Sequence, residues 1–118
     1  MVHGLQPQVL VSYKQGLLYT EDFYAPEHKA VDRQDGRPME ICTTMAPKSW
    51  GYTAETRGQH LDADEVWARL IDAGHRGCNL LLNTAPLPDG SLDPEDTGVM
   101  RAVGERLRKE GFPSKEGA

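Results

Sequence analysis

The chain has 118 residues, of which 38% are hydrophobic and 26% charged, and its formal net charge is −5. This length suits one domain with a modest core. The acidic balance, without any run of lysines or arginines, argues against binding to nucleic-acid phosphates or to an anionic membrane surface. No stretch approaches the roughly 20 apolar residues that cross a bilayer, so we expect neither nucleic acid nor a membrane as a partner.

The N-terminus, the cysteines and the histidines bear on the cellular setting and on metals. Residues 1–8 contain no apolar stretch typical of a signal peptide. Cys42 and Cys78 each lie in a predicted strand, which favours small buried thiols over a disulfide. We therefore expect a reducing, cytoplasmic setting. The histidines lack the spacing of metal ligands, so we expect neither a metal nor another cofactor. They are His3, His28, His60 and His75.

The first half of the chain holds two predicted strands and two long loops. Residues 9–14 and 39–45 are rich in β-branched and apolar residues, which is typical of strands. Between them, residues 15–38 carry many charges, glycines and prolines without a lasting helical period. A connection of this length usually carries function or is partly disordered. Residues 46–58 are predicted as a further loop, which contains Trp50.

A first helix is predicted from Asp62. The Asp62 side chain can cap the helix while Glu65 reaches back, which is the capping-box arrangement. An apolar stripe at helical spacing follows. It comprises Val66, Trp67, Leu70 and Ile71. Gly74 and Gly77 are expected to end the helix.

Three consecutive leucines at 80–82 form the most apolar stretch of the second half, between Asn79 and Asn83. A short apolar run bounded by turn residues is typical of a strand buried on both faces of a parallel sheet. The two asparagines are expected to satisfy loop backbone groups at its ends. Asn83, at the C-terminal end of this strand, could also line a pocket.

A second helix is predicted after this strand. Asp93 can cap it, and Pro94 suits its first position. Its apolar stripe comprises Val99, Met100, Val103 and Leu107. Gly111 is expected to end it, and residues 114–118 are predicted to form a disordered tail.

Strands that alternate with helices predict an α/β fold with parallel pairing and right-handed crossovers. About three parallel strands and two main helices cannot cover both faces and both edges of a sheet, and exposed edges recruit other chains. We therefore expect a homo-oligomer, a dimer or higher, in which copies join their sheets or exchange elements.

Several motifs occur in the order in which family 29 glycoside hydrolases carry them. They are residues 5–14 (LQPQVLVSYK), 20–27 (TEDFYAPE), 39–44 (MEICTT), 49–52 (SWGY), 77–83 (GCNLLLN) and 88–90 (PDG). The chain thus resembles this family, the retaining α-L-fucosidases with a (β/α)-barrel catalytic domain. The resemblance implies a partial (β/α)8 TIM-type barrel over residues 1–113 that matches only the C-terminal part of the family's barrel.

The resemblance also implies site residues. Glu27 falls where many members place the general acid/base, and Trp50 matches an aromatic position that lines the pocket beside the sugar's methyl group. Lys14 stands where many members have an arginine near the sugar, which removes a bidentate contact. Glu40 matches a glutamate at the start of the next strand, near a candidate acid/base of some members. Trp50 could stack on a sugar ring or plug the open barrel mouth.

Two functions remain open. A retaining glycosidase needs two carboxyl groups, a nucleophile and an acid/base. The family's nucleophile is an aspartate upstream of the segment that matches residues 9–14. The favoured hypothesis is a barrel fragment that is inactive alone, assembles with itself and binds a fucosylated sugar weakly at best. The alternative is a hydrolase of α-L-fucosides whose missing half comes from a partner chain or from an oligomer.

Overall fold

The computed structural model describes residues 2–13, 22–28, 30–31 and 36–113. The elements in chain order are the helix α1 (Val2–Leu5), the strands β1 (Ser12–Tyr13), β2 (Phe23–Tyr24) and β3 (Glu40–Thr44), a 3-10 turn (Ala54–Thr56), the helix α2 (Ala63–His75), the strand β4 (Asn79–Asn83) and the helix α3 (Pro94–Glu110). The candidate residue Lys14 and the predicted tail at 114–118 lie outside the described residues. In the described part of the chain, no helix is long and apolar enough to span a membrane.

The strands of the described part pair in parallel, as the alternation of strands and helices predicted. β1 pairs with β2 and β3 pairs with β4. Parallel bridges from Tyr24 to Met39 and from Glu27 to Cys42 join β2 to β3, so the strands follow chain order. The sequence predicted a longer β1 and missed β2. Two residues are too few for a periodic pattern, and Phe23 and Tyr24 are extended because they pair with neighbouring strands.

The ladder between β3 and β4 has one covered face and one open face. Its register pairs Ile41 with Leu80 and Cys42 with Leu81, and residues paired in this way share a face. Ile41 and Leu80 pack in the core cluster that includes a residue of α2. Leu81 is 50% exposed, and we call the side of Cys42 and Leu81 the open face. The prediction that residues 80–82 are buried on both faces is therefore wrong for the single chain, because α2 and α3 cover the same side.

The start of α2 confirms the predicted capping box. The Asp62 carboxylate accepts a hydrogen bond from the Glu65 amide at 2.8 Å, and the Glu65 carboxylate accepts one from the Asp62 amide at 3.3 Å. Val66 and Trp67 of the predicted stripe are buried in a second core cluster. Local sequence thus determines where α2 begins and which side faces the core.

The start of α3 is also as predicted, with Pro94 in the first turn and the Asp93 carboxylate accepting a hydrogen bond from the Glu95 amide at 3.0 Å. The helix ends at Glu110, and Gly111 follows with a φ of 78°.

The apolar stripe of α3 is narrower than predicted. Val103 is buried, and Val99 and Leu107 pack against the same cluster as Trp67. Met100 is 45% exposed, and it lines a surface cavity with Thr84 and Leu92 rather than packing in the cluster between α2 and α3.

Both cysteines are free and half-buried. Cys42 lies in β3, as predicted, whereas Cys78 precedes β4 by one residue. The expectation of free thiols over a disulfide is confirmed, although neither thiol is fully buried.

A close approach of two backbones at Gly74 of α2 generates a testable prediction. A Cβ at this position would lie 2.7 Å from the carbonyl carbon of Pro113. We expect Gly74→Ala to lower the free energy of unfolding by about 1–3 kcal/mol, the usual cost of overpacking. The matched control is Gly104→Ala in α3, where a Cβ meets nothing within 4 Å. It should raise stability by about 0.5–1 kcal/mol, because alanine loses less backbone entropy in a helix. Urea unfolding followed by circular dichroism measures both, and a stable Gly74→Ala variant would contradict the close approach.

Candidate functional site

The carboxyl ends of β3 and β4 form the candidate site, because barrel enzymes place their chemistry at this end of the strands. Thr44 and Asn83 are paired there. The Asn83 side-chain amide donates to the Thr44 hydroxyl at 3.0 Å and to the Trp50 carbonyl at 2.8 Å. The Thr44 hydroxyl donates to the Ser49 carbonyl at 3.0 Å. Asn83 thus satisfies loop backbone, as predicted, and holds the loop after β3 against both strands.

Glu27 lies beside β3 and is exposed. Its backbone bridges Cys42: the Cys42 amide donates to the Pro26 carbonyl at 2.9 Å, and the His28 amide donates to the Cys42 carbonyl at 2.7 Å. Because bridged residues point to the same side of a sheet, Glu27 shares the open face with Cys42 and Leu81. A carboxylate in this position can approach a ligand held against the open face.

The Trp50 side chain reaches the Glu27 segment. Its ring stacks on the His28 ring, with centroids 5.1 Å apart and planes at 29°. Trp50 remains 40% exposed, so either sugar stacking or closure of the mouth stays a prediction. The sequence assigned no role to His28 beyond its being one of four histidines without metal-ligand spacing. It is exposed, but its contact with Trp50 was missed, because no local spacing links residues of two different loops.

Glu40 lies at the other end of its strand. It opens β3 and pairs with Asn79, whereas Thr44 closes β3 and pairs with Asn83. Four residues of strand separate the two pairs by about 13 Å, given a rise of about 3.3 Å per residue. The structure therefore holds Asn83 and the Trp50 loop at one end of β3, whereas Glu27 lies beside the middle of the strand, two residues in register from both Glu40 and Thr44. A substrate contact at Glu40 stays a prediction.

Two aspartates that could be considered as a second carboxylate have structural roles. The Asp22 carboxylate accepts a hydrogen bond from the Val11 amide at 2.7 Å. Asp89 accepts from the Ser91 hydroxyl at 2.6 Å and from the Ser91 amide at 2.9 Å. The hydroxyl contact, with the amide contact second, lowers the pKa of Asp89 below its ordinary value. Asp89 is thus a turn residue, in agreement with the Asp-Gly turn signal.

A buried polar network lies just behind the site. Asp96 of α3 is 1% exposed, and its carboxylate accepts a hydrogen bond from the Thr84 hydroxyl at 2.5 Å. Its other oxygen lies 2.6 Å from Nδ1 of His60. The Glu95 carboxylate accepts hydrogen bonds from the amides of Gly58 and His60 at 3.0 and 3.2 Å. The network ties the loop before α2 to the start of α3 and to the end of β4.

His60, Asp93 and Glu95 also place possible ligand atoms within 4.8 Å of one another. The sequence did not predict this proximity, because His60 is more than 30 residues away from Asp93 and Glu95 along the chain. Asp93 already caps α3, and both Glu95 oxygens already accept backbone hydrogen bonds. Helix capping and loop anchoring account for this group.

Comparison with known proteins identifies the family. The alpha-L-fucosidase family model matches residues 1–112. The chain belongs to the alpha-L-fucosidase family. It is 32% identical to plasma alpha-L-fucosidase of Pongo abelii over 101 residues, which are 84% of this chain and 21% of that protein. It is 31% identical to the human plasma enzyme over 100 residues, which are 83% of this chain and 20% of that protein.

Solved alpha-L-fucosidase structures share the same fold. Isoenzyme 1 from Paenibacillus thiaminolyticus superimposes with a TM-score of 0.77 at 28% identity, over 93% of this chain and 29% of that one. The Thermotoga maritima alpha-fucosidase in complex with fucose gives 0.72 at 26% identity, over 92% and 24%. This chain spans about a fifth of the length of the two plasma enzymes and about a quarter of those solved chains.

The buried Asp96 network yields a prediction for stability. Asp96→Ala leaves the Thr84 hydroxyl and the His60 ring without their shared acceptor, so we expect the free energy of unfolding to fall by about 3 kcal/mol or more. Asp96→Asn keeps one acceptor oxygen and should cost less. The control is Asp64→Ala, since the Asp64 side chain is 97% exposed, and its effect should stay within about 0.5 kcal/mol. Urea unfolding at one fixed protein concentration compares all three, and equal losses at Asp64 and Asp96 would refute a structural role of the network.

Proposed function

We propose that this polypeptide forms part of a (β/α)8 barrel of the retaining alpha-L-fucosidase type, with Glu27 as its general acid/base. The observation that carries the proposal is the position of Glu27: it bridges Cys42 in the middle of β3 and so shares the open face, two residues in register before Thr44, whose partner Asn83 holds the Trp50 loop. Family membership over residues 1–112 supports the same assignment.

A single copy of these 118 residues should hydrolyse fucosides poorly. Retaining hydrolysis requires a second carboxylate about 5–5.5 Å from the first to act as nucleophile. The resemblance places that aspartate upstream of the segment matching residues 9–14. Asp22 is the described aspartate nearest to Glu27 along the chain, and its carboxylate accepts a hydrogen bond from the Val11 amide. Weak binding of fucose is then the expected property of the single chain.

Self-association is the second part of the proposal. Leu81 is half-exposed on the open face, and β1 and β4 form the two edges of the described strands. Parallel sheets are found almost only where both faces are covered, and free edges pair with further strands. A homo-oligomer, a dimer or higher, covers this surface either by joining sheets or by exchanging elements.

Hydrolysis of α-L-fucosides in a completed assembly is the alternative. It is favoured by Glu27 on the open face, together with Asn83 and the Trp50 loop at the end of the strands where barrel enzymes carry their sites. In this case a partner chain or a further copy supplies the nucleophile.

Association generates the first test. We expect Leu81→Glu to convert the oligomer to monomer, because a charge on the open face opposes its burial against another copy. Secondary structure should be retained, since this side chain is half-exposed within the chain. The control is Leu92→Glu, at a position that is 47% exposed after β4, and it should leave the assembly intact. Light scattering at micromolar concentration measures both, and a wild-type monomer that folds stably would refute self-association.

Catalysis generates the second test. Any turnover of an aryl α-L-fucoside by the assembled chain should fall about 10²–10⁴-fold in Glu27→Gln, which removes the acid/base. Glu40→Gln is the comparison, because Glu40 lies on the same face of β3 two residues before Cys42, the bridge partner of Glu27, and it should lower turnover less than Glu27→Gln. A larger loss in Glu40→Gln than in Glu27→Gln would reassign the acid/base. Complete inactivity together with measurable fucose binding would favour the binding role over the enzymatic one.

A further inference from the structure

His28, the residue after Glu27, has a strained backbone. Its φ is 64°, in the left-handed region that residues with a Cβ rarely adopt. Such a conformation persists only where surrounding contacts hold it, and it is found preferentially at functional sites. Among the described residues other than glycine, Lys48 shares this feature, with a φ of 58°. Lys48 lies in the loop after β3 and provides a natural comparison.

Three contacts hold His28 in this conformation. Its amide donates to the Cys42 carbonyl at 2.7 Å, and its Nδ1 lies 3.0 Å from the Thr43 hydroxyl oxygen. Its ring stacks on the Trp50 ring at 5.1 Å. A cavity of about 200 Å³ lies between His28 and α2. The position of the ring therefore depends on Thr43 and Trp50 rather than on close packing against the helix.

We propose that His28 is a positioning residue for Glu27. The inference rests on the acid/base role of Glu27 proposed above and adds the device that orients it. The turn at His28 keeps the preceding peptide against β3, where the bonds from Cys42 to Pro26 and from His28 to Cys42 flank Glu27. When the ring contacts are lost, the strained backbone relaxes and Glu27 moves away from Cys42.

The loop that carries Trp50 extends this device to the strand ends. The Trp50 carbonyl accepts a hydrogen bond from Asn83, and the preceding Ser49 carbonyl accepts one from Thr44. The last residues of β3 and β4 thus hold Trp50, Trp50 holds the His28 ring, and His28 holds Glu27. Each step is a contact between segments that are distant in sequence.

The test uses the 118-residue chain without ligand. Amide hydrogen exchange of Cys42 reports the bond to Pro26, and the NMR signal of the Glu27 carboxyl group, assigned with Glu27→Gln, reports its surroundings. We expect His28→Ala to lower the protection of the Cys42 amide about tenfold, as for the loss of one well-formed hydrogen bond, and to shift the Glu27 signal. Protection of Leu82 in β4 should change less than about twofold, because local opening leaves the β3–β4 ladder closed.

Two variants separate positioning from general strain. Lys48→Ala removes a side chain from another residue in the left-handed conformation. The protection of the Cys42 amide and the NMR signal of Glu27 should stay as in the wild type. His28→Asn should restore most of the protection, because asparagine tolerates the left-handed region and can bond to Thr43. Unchanged signals in His28→Ala, or equal losses in Lys48→Ala, would overturn the inference, as would a uniform loss that includes Leu82.

A second pair keeps the inference testable if His28→Ala does not fold. Trp50→Phe retains a ring that can stack on His28, whereas Trp50→Ala does not. We expect Trp50→Ala to reproduce the loss of protection of the Cys42 amide, and Trp50→Phe to keep that protection. Equal behaviour of the two Trp50 variants would overturn the role of the ring stack.

Turnover provides a separate measurement. In an assembly that hydrolyses an aryl α-L-fucoside, His28→Ala should lower kcat about tenfold or more, with the fucose dissociation constant within about twofold, because acid/base positioning acts on the transition state. An equal loss of kcat and of fucose affinity would indicate a general structural role and refute positioning. Absence of turnover and of fucose binding in the wild type would overturn the proposed function alone, while the exchange measurements still decide the inference on His28.

Discussion

The one-sided packing of α2 and α3 against the β3–β4 ladder determines the rest of the architecture. Trp67 is buried between the two helices, with the Arg106 guanidinium 4.2 Å from its ring centroid, and Val103 joins the same cluster. This cluster buries one face of the ladder and leaves Leu81 exposed on the other. A parallel sheet is rarely stable in that state. The same packing that makes the chain foldable therefore leaves a surface that another chain can cover.

Side-chain hydrogen bonds position the loops that packing does not reach. Asn83 and Thr44 anchor the loop after β3, while Asp96 anchors the loop before α2 through His60. Both anchors lie beyond the carboxyl ends of the strands, where side chains from several loops meet. The apolar contacts determine the layers, and these polar contacts determine the geometry of the site.

The sequence predicted what depends on neighbours along the chain. The capping residues Asp62 and Asp93 are of this kind, and the alternation of strands and helices along the chain predicted the parallel pairing of β3 and β4. It failed where tertiary context decides. Two-residue β2 is a strand only through its partners, and the leucines at 80–82 suggested a two-sided burial that one chain does not provide. Met100 fits a helical stripe by spacing, yet it stays outside the core cluster and is 45% exposed.

The candidate site divides in the same way. Motif resemblance selected Glu27 and Trp50, and the structure brings their segments together through His28. No pattern of spacing could select His28, since its importance comes from a backbone angle and from contacts with Thr43 and Trp50. The pairing of His60 with Asp96 was likewise not predicted, because it joins two segments that are distant in sequence.

The proposed assembly surface and the proposed sugar site lie on the same two strands. Leu81 lies in β4 two residues before Asn83, whose side chain holds the Trp50 loop. A partner that buries Leu81 would restrict β4 and, through Asn83, the Trp50 loop. If assembly strengthens sugar binding in this way, linkage requires that the sugar strengthen association by the same free energy. Fucose affinity and the fraction of assembled chain should therefore rise together with protein concentration.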